Sequence, residues 1–225
     1  MRLLLTSAGI KNPTIHQALL DLLGKPVEDA TALCIPTAGY GNPHGSPVGP
    51  WQFIAGRSEQ PMTELGWKSV GVLELTALPS IDRDRWVAWV QEADVLLVNG
   101  GDAPYLARWM RESGLADLLP SLTGTVYVGF SAGSMVLTPR IGTDFLYRAE
   151  DDDRTLGVVD FSIFPHVDHP ALSENTMAAA EKWAAELGAP AYAICDDTAI
   201  RVVDGEVDVV TEGHWRYFQP ATGGS

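Results

Sequence analysis

Strand-length apolar runs alternate with amphipathic helical stretches along most of this chain, and that alternation constrains the fold more than any other feature. Leu3–Leu5, Ala32–Ile35, Val70–Leu75, Val95–Val98 and Val126–Phe130 are short and largely apolar at consecutive positions. A strand that is apolar on both faces has to be covered on both, as in a parallel sheet held between layers of helices. The stretches between them carry helical signals. Asn12 and Pro13 supply an N-cap and a proline at the first helical position, and Ile15, Leu19, Leu20, Leu22 and Leu23 then recur at helical spacing before Gly24. Trp86, Val87, Trp89 and Val90 mark a second helix opened by Asp82 and Asp84; Tyr105, Leu106, Trp109 and Met110 mark a third, ended by Gly114. The series predicts an α/β fold, a three-layer sandwich with a mainly parallel central sheet.

After Ser131 the rhythm breaks. Residues 139–160 contain Asp151-Asp152-Asp153 and Arg154 but little periodicity, and read as an excursion. Residues 39–50, rich in glycine and proline, read as a long loop of the kind that overhangs active sites. Leu172–Leu187 reads as a helix. Ala199–Val203, Asp204-Gly205 and Val207–Val210 predict a C-terminal β-hairpin whose turn is made by Asp-Gly. No repeat or low-complexity segment divides the chain, so residues 1–225 are expected to form one domain, and 225 residues that are 46% hydrophobic can bury a sizeable core.

Charge narrows the partners. The chain has 29 acidic and 15 basic side chains, a formal net charge of -14. Such a surface repels nucleic-acid phosphates and anionic membranes, so neither is an expected partner. No apolar run approaches the ~20 residues that cross a bilayer, and Met1-Arg2-Leu3-Leu4-Leu5-Thr6 is too short for a secretory leader core. Cys34 and Cys195 give neither a disulfide framework nor metal-ligand spacing. A cytoplasmic protein without metal or cofactor is the expectation.

Chemistry concentrates in a few strand ends. Gly129-Phe130-Ser131-Ala132-Gly133 follows an apolar strand and precedes a short helical stretch. G-x-S-x-G in that context makes a sharp turn that lifts the serine Oγ out of the sheet, and the next backbone N–H, here on Ala132, can donate to an oxyanion. A serine needs a base. His166 and His169 follow the apolar strand Phe161–Phe164, on the rim where open α/β sheets bind ligands; His16, His44 and His214 lie elsewhere. The orienting acid is open on spacing alone, with Asp196 and Asp197 after Ala191–Ile194 and Asp144 and Asp160 further upstream. Asn99-Gly100-Gly101-Asp102 ends a strand and opens a helix, which suits backbone donors to a developing negative charge.

Together these blocks resemble the dipeptidase E (aspartyl dipeptidase) and cyanophycinase family of serine peptidases. The resemblance is carried by Asn99-Gly100-Gly101-Asp102, Gly129-Phe130-Ser131-Ala132-Gly133-Ser134, Asp160-Phe161-Ser162-Ile163-Phe164-Pro165-His166 and Asp196-Asp197-Thr198-Ala199-Ile200, in family order from about residue 95 onward. It implies a fold like that of the class I glutamine amidotransferases and a serine exopeptidase acting on small peptides. It assigns the nucleophile to Ser131, the base to His166 and the acid to Asp196, with Asp197 and Asp144 as alternatives. The oxyanion donors it implies are Gly101 (or Gly100) and Ala132, and it allows a homodimer. Asp102, His169 and Arg148 are candidate substrate contacts. The same three groups would also serve an esterase or amidase, and an unactivated serine would leave a binding module. One departure matters: aspartyl dipeptidases hold the substrate carboxylate with an arginine after the histidine, and Ser173-Glu174-Asn175-Thr176-Met177-Ala178 contains none. Arg140, Arg148 and Arg154 are the candidates to replace it.

Overall fold

The computed structural model describes residues 1–220. Ten strands occur among them: β1 (Arg2–Thr6), β2 (Thr31–Ile35), β3 (Ser69–Val72), β4 (Val95–Val98), β5 (Val126–Phe130), β6 (Ser162–Phe164), β7 (Ala191–Ile194), β8 (Thr198–Val203), β9 (Glu206–Thr211) and β10 (Trp215–Phe218). The α-helices are α1 (Pro13–Leu23), α2 (Thr37–Gly41), α3 (Val48–Ile54), α4 (Arg83–Glu92), α5 (Ala103–Glu112), α6 (Leu115–Leu118), α7 (Ala132–Met135) and α8 (Met177–Leu187).

The central sheet has seven strands in the order β3-β2-β4-β5-β1-β8-β9. β1 to β5 pair in parallel, and the β8–β9 hairpin is added antiparallel at the β1 side. Its side chains alternate between two cores, as a period of two requires. Leu3, Leu5, Leu96, Val98 and Tyr127 pack on one face with Trp86, Leu106 and Met110. Leu4, Cys34, Val95, Leu97 and Val128 pack on the other with Ile15, Leu19 and Phe53. Helices thus cover both faces, and the sandwich read from the periodicity is present. Asp204 and Gly205, with φ of 51 and 87, make the turn of the expected hairpin, where both central residues need the left-handed region.

Four readings need correction. Val70–Leu75 is not one covered strand. β3 ends at Val72 and lies at the sheet edge, with Val70 and Val72 exposed, while Leu73 and Leu75 turn back into the core as a 3-10 turn begins. An edge strand has no neighbour to cover it, yet its letters look like those of a central one. Residues 39–50 are partly helical, in α2 and α3. Pro47 and Pro50 sit at the cap and first turn of α3, where a missing N–H breaks no helical bond. The helix expected from Leu172 begins at Met177, where Thr176 Oγ1 accepts from the Ala179 N–H.

The fourth correction positions the site. β6 and β7 do not join the central sheet. They form a second sheet in the order β10-β7-β6, backed by α8 through Phe164, Trp183, Ala184 and Leu187. Only Cys195, Asp196 and Asp197 separate β7 from β8, so this short link carries the chain from one sheet to the other.

Candidate active site

The turn after β5 is built by close approaches that exclude larger residues. A Cβ on Gly129 would lie 2.5 Å from the Gly133 carbonyl oxygen, and one on Gly133 would collide with the Val98 carbonyl. The two glycines of the pentapeptide therefore let α7 start directly against β4 and β5. Side-chain hydrogen bonds brace it: Thr6 Oγ1 donates to the Gly129 carbonyl at 2.7 Å, Ser134 Oγ to the Thr6 carbonyl at 2.8 Å and the buried Tyr127 hydroxyl to the Gly133 carbonyl at 2.6 Å. Ser131, at the apex, is held at φ 49 and ψ -112. A non-glycine residue there is strained, and such strain concentrates where a side chain must be presented in one direction.

His166 follows β6 and also has a positive φ, 58. Its N–H donates to Ser7 Oγ at 2.8 Å, which ties the second sheet to the end of β1. Its Nε2 lies 2.9 Å from Ser131 Oγ and its Nδ1 2.7 Å from Asp196 Oδ1. Ser7 Oγ donates to the same Asp196 oxygen at 3.0 Å. The far oxygen, Oδ2, is 3.7 Å from Lys11 Nζ and 3.6 Å from His169 Nε2. Burial alone would raise the Asp196 carboxyl, but the hydrogen bond and charge of His166, the Ser7 hydroxyl and Lys11 outweigh it and hold it below the ordinary carboxylate value. Asp196 is thus an ionised, multiply held group.

Opposite Ser131, β4 is followed by Asn99, Gly100 and Gly101. A Cβ on Gly100 would press on the Phe130 ring at 2.8 Å, and one on Gly101, at φ 140, would collide with the Ala38 backbone. Among the described residues, the N–H groups of Gly100, Gly101 and Ala132 donate to no protein acceptor. These free donors flank the serine, an arrangement suited to an oxyanion.

Other predicted residues are placed differently. Among the described residues, Asp197 makes no side-chain hydrogen bond or ion pair with His166, and its carbonyl accepts from Asn12 Nδ2 at 3.1 Å. Among the described residues, neither Asp144 nor Asp160 hydrogen-bonds or ion-pairs with the imidazole. Asp102 is buried as the N-cap of α5, accepting from the Tyr105 N–H at 2.8 Å and from Arg148 Nη1 at 3.0 Å. Burial raises its carboxyl above the ordinary value despite those donors. Arg148 also donates to the Gly41 carbonyl at 3.2 Å, and Arg140 pairs with Asp153 at 2.9 Å. Neither of these nor Arg154 lines the cavity that holds Ser131. His169 stands behind Asp196 rather than in that cavity. Arg148→Ala should therefore act on stability, costing about 1–2 kcal/mol in chemical denaturation, because it strands the buried Asp102 charge. That cost is below that of a fully buried pair because Arg148 is 40% exposed.

Sequence reasoning missed Ser7 and Lys11. Both follow β1, beside the strand of the nucleophile, at the carboxyl ends of strands where ligands bind in such sheets; their position relative to that rim was the available signal.

The cavity around Ser131 has a volume of about 390 Å³ and includes Gly100, Gly101, Ala132, Met135, Asp144 and Phe145. Among the described residues no helix is long and apolar enough to cross a membrane, and no group of three or more His, Cys, Asp or Glu side chains is placed to hold a metal.

Comparison with known proteins agrees with this architecture. No curated protein matched the chain significantly. A candidate peptidase E protein from Listeria monocytogenes EGD-e superposes with a TM-score of 0.68 at 20% identity, covering 94% of this chain and 98% of that one. A peptidase from an acI-B1 actinobacterium superposes with a TM-score of 0.70 at 21% identity, covering 98% of this chain and 94% of the other. At such identities the likeness speaks for the fold. The family model of peptidase family S51 matches residues 3–210. The match runs from β1 into β9 and includes the serine turn, His166 and Asp196, and the chain belongs to peptidase family S51, a serine peptidase.

Proposed function

We propose that the chain is a serine exopeptidase that hydrolyses short peptides, with Ser131 as nucleophile, His166 as general base and acid, and Asp196 as the orienting carboxylate. The observation that carries this reading is the unbroken hydrogen-bonded series from Asp196 through His166 to Ser131, at 2.7 and 2.9 Å. Ser131 Oγ attacks the scissile carbonyl carbon while its proton passes to Nε2 of His166. Asp196 accepts the Nδ1–H bond, fixes the tautomer and stabilises the imidazolium. The carbonyl oxygen becomes an oxyanion beside the N–H groups of Gly101 and Ala132, with Gly100 adjacent. His166 then gives its proton to the leaving amine. Water, deprotonated by the same imidazole, attacks the acyl-enzyme and releases the acid.

A cavity of about 390 Å³ falls in the range of small-ligand sites, which favours short peptides over a folded protein. A cytoplasmic setting fits two buried thiols left free, Cys34 and Cys195, the former pushed up to about 12 by burial. The test is a dipeptide and tripeptide library read by mass spectrometry, alongside fluorophosphonate labelling. Single-residue release and an adduct on Ser131 are expected. Absence of an adduct would point to a binding module, and ester turnover without peptide cleavage to an esterase.

A further inference from the structure

The cavity around Ser131 contains one charged side chain that the fold leaves without a counter-ion. Its walls include Ala103, Met135, Phe145, Leu146 and Leu172. Asp144 lines the same space from the 3-10 turn Thr143–Phe145. Among the described residues, no Lys, Arg or His nitrogen lies within the 4.0 Å of an ion pair with its carboxylate, and no side chain hydrogen-bonds to it. The arginines of the surrounding excursion are committed elsewhere or face another pocket: Arg140 to Asp153, Arg148 to Asp102, and Arg154 toward Arg108 and Arg111. Asn42, Tyr147 and Asn175 line it as well, so an exposed, unpaired carboxylate stands at the mouth of mixed polar and apolar walls, a site for a ligand with an apolar part and a cationic end. It repels an acidic one, the more so inside a chain of net charge -14.

We propose that Asp144 sets the specificity of this cleft: its carboxylate receives an ammonium group of the peptide, while Met135, Phe145, Leu146 and Leu172 take the apolar part. The inference rests on the serine-peptidase reading above and adds the substrate class to it. Two sources of the ammonium exist, a free peptide amino terminus and a lysine side chain. An ion pair at a partly solvated mouth contributes modestly, so the expected effect is about fivefold. It falls mainly on KM, because the charge on the substrate is the same before and during reaction.

The experiment compares wild type with Asp144→Asn and Asp144→Lys on Leu-Leu, N-acetyl-Leu-Leu, N-acetyl-Lys-Leu and Asp-Leu, with labelling by an uncharged fluorophosphonate as the readout of Ser131. Asp144→Asn should shrink the wild-type preference for ammonium-bearing over acetylated neutral peptides about fivefold, while Ser131 still labels. A loss confined to Leu-Leu identifies the amino terminus as the group received, and one confined to N-acetyl-Lys-Leu identifies the side chain. Asp144→Lys should turn the preference toward Asp-Leu. Equal discrimination by wild type and Asp144→Asn, with Ser131 labelled in both, would overturn the role of Asp144 and leave the serine mechanism standing. Failure of wild type to label would overturn the mechanism and this inference with it.

Discussion

Ser131→Ala is expected to lower kcat about a millionfold, the cost of deleting the nucleophile from a comparable hydrogen-bonded set, while the chain stays folded. Steady-state kinetics on the best library peptide, with circular dichroism of the same sample, checks both halves. A residual rate within tenfold of wild type would show that another group attacks the carbonyl. Stability gives an independent reading of the same residue. At φ 49 and ψ -112 a side chain is strained, at a cost of roughly 1–3 kcal/mol, and alanine keeps the Cβ that causes it. Glycine removes it but loses more chain entropy on folding, about 0.5–1 kcal/mol. Ser131→Gly should accordingly be more stable than Ser131→Ala by about 1 kcal/mol, the reverse of the usual order. Equal or lower stability of the glycine variant in urea unfolding would mean that the turn holds no such strain.

The next largest loss is expected from Asp196→Asn, about ten-thousandfold in kcat, because an amide can hold the imidazole in the wrong tautomer. Asp197→Asn should leave kcat within about twofold, since the His166 Nδ1 bond goes to Asp196 rather than to it and substitutions clear of such contacts are near neutral. The pair of variants decides between two adjacent acids. Asp196 also makes a pH signature. Its folded-state carboxyl lies below its unfolded value, so its contribution to stability is fully present above the ordinary carboxylate value of about 3.9 and fades as pH falls through the lowered one. The stability difference between wild type and Asp196→Asn should thus be constant near neutrality and shrink in acid. A difference that grew on acidification would contradict the depressed carboxyl.

Much of this was written in local sequence. The β1, β2, β4 and β5 runs are apolar on consecutive residues because they are covered on both faces, and the glycines around Ser131 and at Gly101 are imposed by backbone contacts that no side chain survives. The division into two sheets was not legible. β7 and β8 are both apolar and only three residues apart, and nothing in their composition says that the first pairs with β6 and β10 and the second with β1. The acid was ambiguous for a related reason: Asp196 and Asp197 are equivalent as letters, and only the path of the turn decides that the first of them reaches His166. Ser7 escaped because its role depends on β1 lying beside both β5 and β8.

The link Cys195–Asp197 has a consequence for how the enzyme can fail. The Ser131 hydroxyl rides on the seven-stranded sheet, the His166 imidazole on the three-stranded one, and the Asp196 carboxylate on the link between them. Working chemistry is therefore a gauge of whether the two sheets are docked in register, with Ile163 and Ile194 of the smaller one packed into the core of the larger. Loosening of the smaller sheet, which α8 backs on the face away from the main core, disarms the molecule while most of its backbone remains ordered. On heating, peptide turnover should vanish several degrees before the far-ultraviolet signal of the larger sheet collapses, as expected where local opening precedes global unfolding.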